Sequence, residues 1–137
     1  YASVYGHLKA AVEELAAALE ARGQKVSVFD LARDDMAEAV EDAFRYDRLV
    51  LASITYQGEI FPFMSTFIHT LAEHAYQNRT VALVEAGSWA PAAAKVMTKE
   101  LEGMKDITLA QNKVTVLGSL NDASRAQIEA LADELSK

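Results

Sequence analysis

The pattern of hydrophobic and polar positions alternates between helical and strand periodicity along the whole chain. Residues 8–22 are rich in Ala, Leu and Glu, and their apolar positions recur at the spacing of an amphipathic helix. Gly23 follows at a position that commonly ends a helix. Asn121 or Ser119 is a candidate N-cap for the last helix. The further predicted helices cover 35–44, 61–77, 91–102 and 122–136.

Four segments between these helices have the pattern of strands. Residues 25–31 alternate apolar and polar side chains, whereas 48–53 and 80–85 are almost continuously apolar, as in parallel strands buried on both faces. Residues 113–117 form the last predicted strand. Strands separated by helices favour right-handed βαβ units. The sequence therefore predicts one α/β domain over residues 1–137, with a parallel sheet covered by helices on both faces.

The first strand of this sheet is predicted to be truncated. A doubly wound sheet places its first strand at the centre, but only Tyr1, Ala2 and Ser3 precede the first loop and helix. We therefore expect that the domain is excised from a longer protein, within its first strand. A homodimer, formed by domain swapping or by docking of two copies, would compensate for the short first strand at the centre of the sheet.

Candidate chemistry lies in three turns that follow predicted strands, because open α/β sheets bind ligands beyond the carboxyl ends of their strands. The turn from Ser3 to Leu8 has a hydroxyl, a glycine and a helix start, which are the parts of a phosphate-binding nest. The second turn, 53–62, contains an aromatic ring, an amide and a glycine. The third turn, 85–91, carries Trp89, which is suited to stacking on a planar ligand or to capping the end of the sheet.

Together the three turns resemble the flavodoxin-like domain of the flavodiiron proteins, also called A-type flavoproteins. That family has a phosphate loop Y-x-S-x-Y-G-[NH]-T, a second loop S-P-T-Y-N-x-G-x-F-P, and a third loop G-S-W-A-P or G-x-W-S-G. These motifs correspond to residues 1–8, 53–62 and 87–91, so the resemblance covers nearly the whole chain. It implies a flavodoxin-like, doubly wound parallel sheet with the strand order 2-1-3-4-5.

The resemblance also implies that the cofactor is FMN. The first loop would bind the FMN phosphate through backbone N–H groups and the Ser3 hydroxyl, and the other two loops would flank the isoalloxazine ring. Tyr56 and Trp89 would be the stacking rings. The cofactor-binding residues implied in this way are Ser3, Val4, Tyr5, Gly6, His7, Leu8, Thr55, Tyr56, Gln57, Gly58, Gly87, Ser88, Trp89 and Ala90.

Three positions depart from the family pattern. Leu8 stands where a hydroxyl residue usually ends the phosphate loop, which would remove one hydrogen bond to the phosphate. Ile54 stands where the family often has Pro, and Ala86 where Asn or Gly is common. FMN binding by this chain is therefore a property to be tested directly.

The implied function is that of an electron-transfer flavoprotein domain. It would relay electrons from a donor such as rubredoxin or a flavin reductase to a diiron site in a metallo-β-lactamase-like domain outside this chain. The chain itself would carry no catalytic residue. One alternative, favoured by Leu8 and the short first strand, is a cofactor-free flavodoxin-fold module for dimerisation or docking. The other alternative is a free-standing flavin-dependent quinone reductase.

Composition limits which partners and which kinds of site we expect for this chain. The net charge of −7 argues against nucleic acid, although it suits either solubility or a basic redox partner. No apolar run reaches the roughly 20 residues of a membrane helix. The lack of cysteine excludes disulfides and thiolate metal sites and fits a cytoplasmic location. His69 and His74 would lie about 140° apart around a helix, so no metal site is predicted there.

Overall fold

The computed structural model describes residues 1–2, 6–56, 59–60, 62–87, 92–117 and 120–136. Its helices are Gly6–Ala21 (α1), Met36–Arg45 (α2), Pro62–Glu73 (α3), Ala93–Leu101 (α4) and Asp122–Leu135 (α5). Its strands are Arg48–Tyr56 (β1), Glu59–Ile60 (β2), Arg79–Gly87 (β3), Ile107–Leu109 (β4) and Val114–Leu117 (β5). Each described helix is too short or too polar to cross a bilayer.

The sheet is built on the parallel pair of β1 and β3. Their register runs from Arg48 opposite Thr80 to Ile54 opposite Ala86. Both β4 and β5 pair in parallel with β3, β4 with its first residues and β5 with its last, so the two short strands share one side of β3. The two-residue strand β2 pairs antiparallel with the end of β1. The predicted α/β fold with a parallel sheet is confirmed.

Helices cover both faces of this sheet, and each face has its own hydrophobic core. Val81 and Leu83 of β3 belong to the core that includes α2, α3 and α4. Ala82, Val84 and Ala86 belong to the core that includes α1 and α5. Successive side chains of a strand point to opposite faces, so this division makes β3 a strand buried on both sides.

The strand predicted over 25–31 is wrong as a regular element, because the structure assigns no strand there. Among the described residues, Tyr1 alone joins this segment in a strand-like way. The Tyr1 amino group donates to the Phe29 carbonyl at 2.7 Å, and the Leu31 N–H donates to the Tyr1 carbonyl at 2.8 Å. A strand needs a run of such bonds along its partner, and one residue supplies only a single pair.

Residues 1–2 nevertheless lie between the 25–31 segment and β1. The Ala2 N–H donates to the Ala52 carbonyl at 3.0 Å, and Ala2 forms a parallel bridge with Ser53. The resulting order is 25–31, residues 1–2, β1, β3 and then β5. It agrees with the order 2-1-3-4-5 as far as the described residues extend.

Two helices begin at a side-chain N-cap, and the candidate Asn121 is one of the two caps. The Asp35 side chain accepts the Ala37 N–H at 2.9 Å and caps α2. At α5, Asn121 is the N-cap and exchanges hydrogen bonds with Ser124 in a capping box. At the end of α1, Gly23 adopts the positive φ of 82° expected of a glycine after a helix.

The end of α3 differs from the prediction, since the helix stops at Glu73 rather than at residue 77. Ala75 takes a positive φ of 57°, and the Tyr76 N–H bonds back to the Leu71 carbonyl at 3.0 Å. This turn places Tyr76 in the core. Tertiary burial of the aromatic ring, rather than local propensity, ends the helix here.

Candidate functional site

The carboxyl ends of the strands bring the residues that flank the three predicted turns to one edge of the sheet. Ala2, the last described residue before the first turn, bridges Ser53 of β1. The neighbouring strands β1 and β3 are still paired at Ile54 and Ala86, so both end at this edge. The described residues that flank all three turns are therefore close together.

The predicted cofactor-binding residues divide between described elements and the turns themselves. Gly6, His7 and Leu8 form the start of α1, Thr55 and Tyr56 end β1, and Gly87 ends β3. The others lie outside the described residues, namely Ser3, Val4, Tyr5, Gln57, Gly58, Ser88, Trp89 and Ala90.

The side chain of Leu8 belongs to the core. It is 1% exposed and packs with the residues of α1, α5 and the sheet. This position can therefore offer a ligand only its backbone. The first turn of α1 contains Lys9 and no acidic residue, so no carboxylate opposes the partial positive charge of the helix N-terminus.

The hydroxyl of Thr55 is used by the polypeptide itself. Thr55 Oγ1 accepts the N–H of Ala92 at 2.8 Å and that of Ala93 at 3.3 Å. These two N–H groups lie at the start of α4, directly after the third turn. Thr55 thus links the end of β1 to the helix that follows the Trp89 turn.

Glu85 is a buried carboxylate at the same edge, and it is absent from the residues predicted to bind the cofactor. It is 3% exposed and lies on β3, two residues before Gly87. Glu85 Oε1 accepts the Ala94 N–H at 3.0 Å, and Oε2 accepts the Thr115 hydroxyl at 2.9 Å. Lys113 Nζ lies 3.3 Å from the same Oε2 and forms an ion pair with it.

A local signal for Glu85 exists in the sequence. It is the one charged residue of the predicted strand 80–85, and an acidic side chain is rarely buried without partners. Lys113 and Thr115 supply those partners from a segment far along the chain. The tertiary pairing of β3 with β5, which local periodicity does not give, brings them together.

His69 of α3 and His74, which follows the end of that helix, do not build a site in the described part of the chain. His69 Nε2 lies 3.9 Å from Glu100 Oε1, which also accepts the Ser65 hydroxyl at 3.0 Å. No group of three metal-ligating side chains occurs among the described residues.

The sequence profile of the flavodoxin domain family matches residues 1–124. This chain belongs to the flavodoxin domain family. The match covers every element from α1 to β5 and the first residues of α5. No curated protein sequence matches this flavodoxin domain.

Solved structures with the same fold include flavodiiron proteins, as the resemblance of the turns predicts. The rubredoxin oxygen:oxidoreductase of Desulfovibrio gigas superposes with a TM-score of 0.92 at 17% identity, over 99% of this chain and 34% of its own. The flavodiiron protein of Giardia intestinalis gives 0.86 at 14% identity, over 97% of this chain and 33% of its own. An archaeal flavodoxin gives a TM-score of 0.84 at 17% identity, over 98% of this chain and 91% of its own. This flavodoxin domain therefore spans about a third of the length of the flavodiiron chains.

Proposed function

We propose that this flavodoxin domain binds FMN at the carboxyl edge of its sheet and transfers electrons as part of a flavodiiron-type oxidoreductase. The observation that carries the proposal is the family match over residues 1–124, in a fold that gathers the flanks of all three predicted loops at one edge. When bound, FMN would supply the capacity to accept and donate electrons. The residues of the chain would hold and orient it.

The start of α1 fits a phosphate group. A helix N-terminus presents free N–H groups and a partial positive charge, and both favour an anion. The helix begins at Gly6, which follows the Ser3–Tyr5 stretch of the predicted phosphate loop. Its first turn has no acidic side chain, and it contains Lys9. We expect the backbone from Ser3 to Leu8 to bind the phosphate, with the Leu8 side chain remaining in the core.

The ends of β1 and β3 fit a planar ring. Tyr56 ends β1, and Gly87 ends β3 beside it. Leu117, which pairs with Gly87, is 51% exposed and adds apolar surface at this edge. Tyr56 and Trp89 are the proposed stacking rings, because offset aromatic stacking favours such planar contacts.

The proposed context is a longer flavoprotein. The flavodiiron chains that share this fold are about three times as long as the part that matches this domain. We propose that a diiron metallo-β-lactamase-like domain receives the electrons and that rubredoxin or a flavin reductase supplies them, in the cytoplasm. The net charge of −7 suits a basic electron donor.

An FMN titration tests the cofactor proposal. The protein is titrated with FMN while the flavin absorbance spectrum and fluorescence are recorded, and we expect a shifted spectrum with quenched emission. Trp89→Ala should raise the Kd about tenfold through loss of stacking. Leu109→Ala, an exposed apolar residue of β4 at the opposite end of β3, is the matched control and should leave the Kd unchanged. An unchanged flavin spectrum at high micromolar FMN rejects the proposal.

A second candidate function is a cofactor-free dimerisation or docking module. The observation that favours it is Leu8, because its apolar side chain lies in the core where the predicted phosphate loop would end in a hydroxyl residue. Light scattering after size-exclusion chromatography, with and without FMN, separates the two functions. A dimer that does not change with FMN and shows no flavin spectrum supports the docking module. Turnover of a nicotinamide donor with a quinone by this chain alone would instead support a quinone reductase.

A further inference from the structure

The helix that follows the Trp89 turn begins without a cap of its own. Its N-cap position is Ala92, which has no side chain able to accept a hydrogen bond. The first N–H groups of a helix have no partner within the helix and need one elsewhere. At α4 these partners come from two strands, Thr55 of β1 and Glu85 of β3.

The two acceptors divide three consecutive N–H groups between them. Thr55 Oγ1 serves Ala92 and Ala93, and Glu85 Oε1 serves Ala94 at 3.0 Å. A carboxylate at this position also stabilises the positive end of the helix dipole. The start of α4 is therefore attached to the ends of both neighbouring strands.

Glu85 is itself held by donors on its other oxygen. The Thr115 hydroxyl donates to Oε2 at 2.9 Å, and Lys113 Nζ lies 3.3 Å from it. A buried carboxylate with a hydrogen bond on each oxygen and a charged partner on one of them has little freedom to move. It provides a fixed point that joins β3, β5 and α4.

We propose that Thr55 and Glu85 are positioning residues for the 88–91 turn. One end of this turn leaves β3 at Gly87, which pairs with Leu117. The other end enters α4 at Ala92, where Thr55 accepts the N–H. The described residues at both ends of the turn that carries Trp89 are thus held in place. In FMN binding, which rests on the proposed function, Thr55 would then act through this turn rather than by direct contact.

The fluorescence of Trp89 reports on this turn without any cofactor, because it is the only tryptophan of the chain. Thr55→Val keeps the side-chain shape and removes the acceptor, whereas Thr55→Ser retains the hydroxyl. Glu85→Gln keeps an oxygen for the Ala94 N–H but removes the charge that pairs with Lys113. Asp35→Ala, which removes the cap of α2, is the control for loss of a helix cap elsewhere.

Acrylamide quenching of Trp89 is then measured in the absence of FMN. We expect faster quenching in Thr55→Val and Glu85→Gln than in the wild type, with the wild-type rate restored in Thr55→Ser and retained in Asp35→Ala. Equal quenching in Thr55→Val and the wild type would overturn the proposal. Thr55→Val should also raise the Kd for FMN about tenfold, the equivalent of one to two hydrogen bonds.

Hydrogen exchange on the wild-type protein gives a second test that needs no variant. The amides of Ala92, Ala93 and Ala94 should be protected well beyond unstructured backbone, and exchange at the unstructured rate would overturn the proposal. The positioning role and the FMN-binding proposal can be rejected independently. Altered quenching in a protein that does not bind FMN retains the positioning role and rejects the cofactor, whereas FMN binding with unaltered quenching does the reverse.

Discussion

Tyr76 places a phenol in an apolar environment. It is 1% exposed, meets the Phe44 ring edge-on at a centroid distance of 5.0 Å, and lies 5.2 Å from the guanidinium carbon of Arg79. Its hydroxyl has no hydrogen-bond partner among the described residues. Burial raises the pKa of Tyr76 from 10.0 to about 12, because the charged phenolate is desolvated.

This raised pKa predicts an alkaline loss of stability. The folded state favours the protonated phenol, so its contribution is fully present below pH 10 and is lost as the pH rises through 12. Tyr76→Phe removes the titrating group and an unpaired hydroxyl, and should change the free energy of unfolding at neutral pH by less than about 1 kcal/mol. Urea unfolding at a series of pH values measures both effects. An equally steep alkaline loss in Tyr76→Phe would contradict this account.

The residues that cap helices differ in how well the sequence alone predicts their role. Asp35 and Asn121 are recognisable caps, because the group that they serve lies within three residues. Thr55 serves N–H groups 37 and 38 residues away, and Glu85 depends on partners brought by β5. Their roles follow from tertiary pairing, so spacing along the chain does not reveal them.

At the scale of elements, the end of α1 depends on the left-handed conformation of Gly23. Its φ is 82°, and an added Cβ would meet nothing within 4 Å, so a substitution there tests backbone conformation alone. Gly23→Ala should lower the free energy of unfolding by about 1–2 kcal/mol. Gly103, which has similar open space and no such φ, is the matched control. Gly103→Ala should be neutral or raise stability by about 0.5 kcal/mol. Equal effects of the two substitutions would contradict the conformational explanation.

The region around Tyr1 contains an apolar cleft. A cavity of about 350 Å³ is lined by residues 24–29, by α1 and by the first half of β1, with Leu15, Leu19 and Leu51 on its walls. Burial lowers the pKa of the Tyr1 amino group from 8.0 to about 6. The folded state thus favours the neutral amine, and this contribution to stability is lost as the pH falls from 8 through 6.

An apolar extension ahead of Tyr1 should therefore stabilise the domain. Four Val or Ile residues would extend the ladder of Tyr1 and Ala2, and would bury β-branched side chains in the cleft. We expect a higher Tm than with a Gly-Ser extension of equal length, which controls for loss of the titrating amine at Tyr1. Both extensions should remove the loss of stability between pH 8 and 6. Identical Tm values for the two extensions would show that the cleft does not accept a strand.

The elements that periodicity predicts well, such as β1, β3 and α5, are the longer ones with a regular pattern of apolar positions. The short strands β2 and β4 were missed, since three paired residues or fewer leave almost no pattern. The segment 25–31 has strand periodicity but little pairing, which shows that alternation alone does not form a strand.

At the scale of the whole molecule, alternation of helix and strand was sufficient for the α/β class, and three short motifs indicated the family. The profile match over residues 1–124 shows the flavodoxin domain family, and the TM-score of 0.92 to a flavodiiron structure agrees with the fold class. The location of the proposed site follows from the sheet, because parallel strands end at one edge. The geometry of the three loops does not follow from periodicity, and FMN binding remains the proposal that unites them.

Backbone NMR of the labelled protein titrated with FMN tests whether one FMN molecule binds all three loops. We expect saturable shifts of amides in three separate stretches, Ser3–Leu8, Thr55–Gly58 and Gly87–Ala90, while amides at the opposite edge, such as Gly103 and Thr108, stay unchanged. The three stretches should give the same Kd, since one ligand contacts them all. Shifts confined to the opposite edge, or no shifts at saturating FMN, would contradict the proposal.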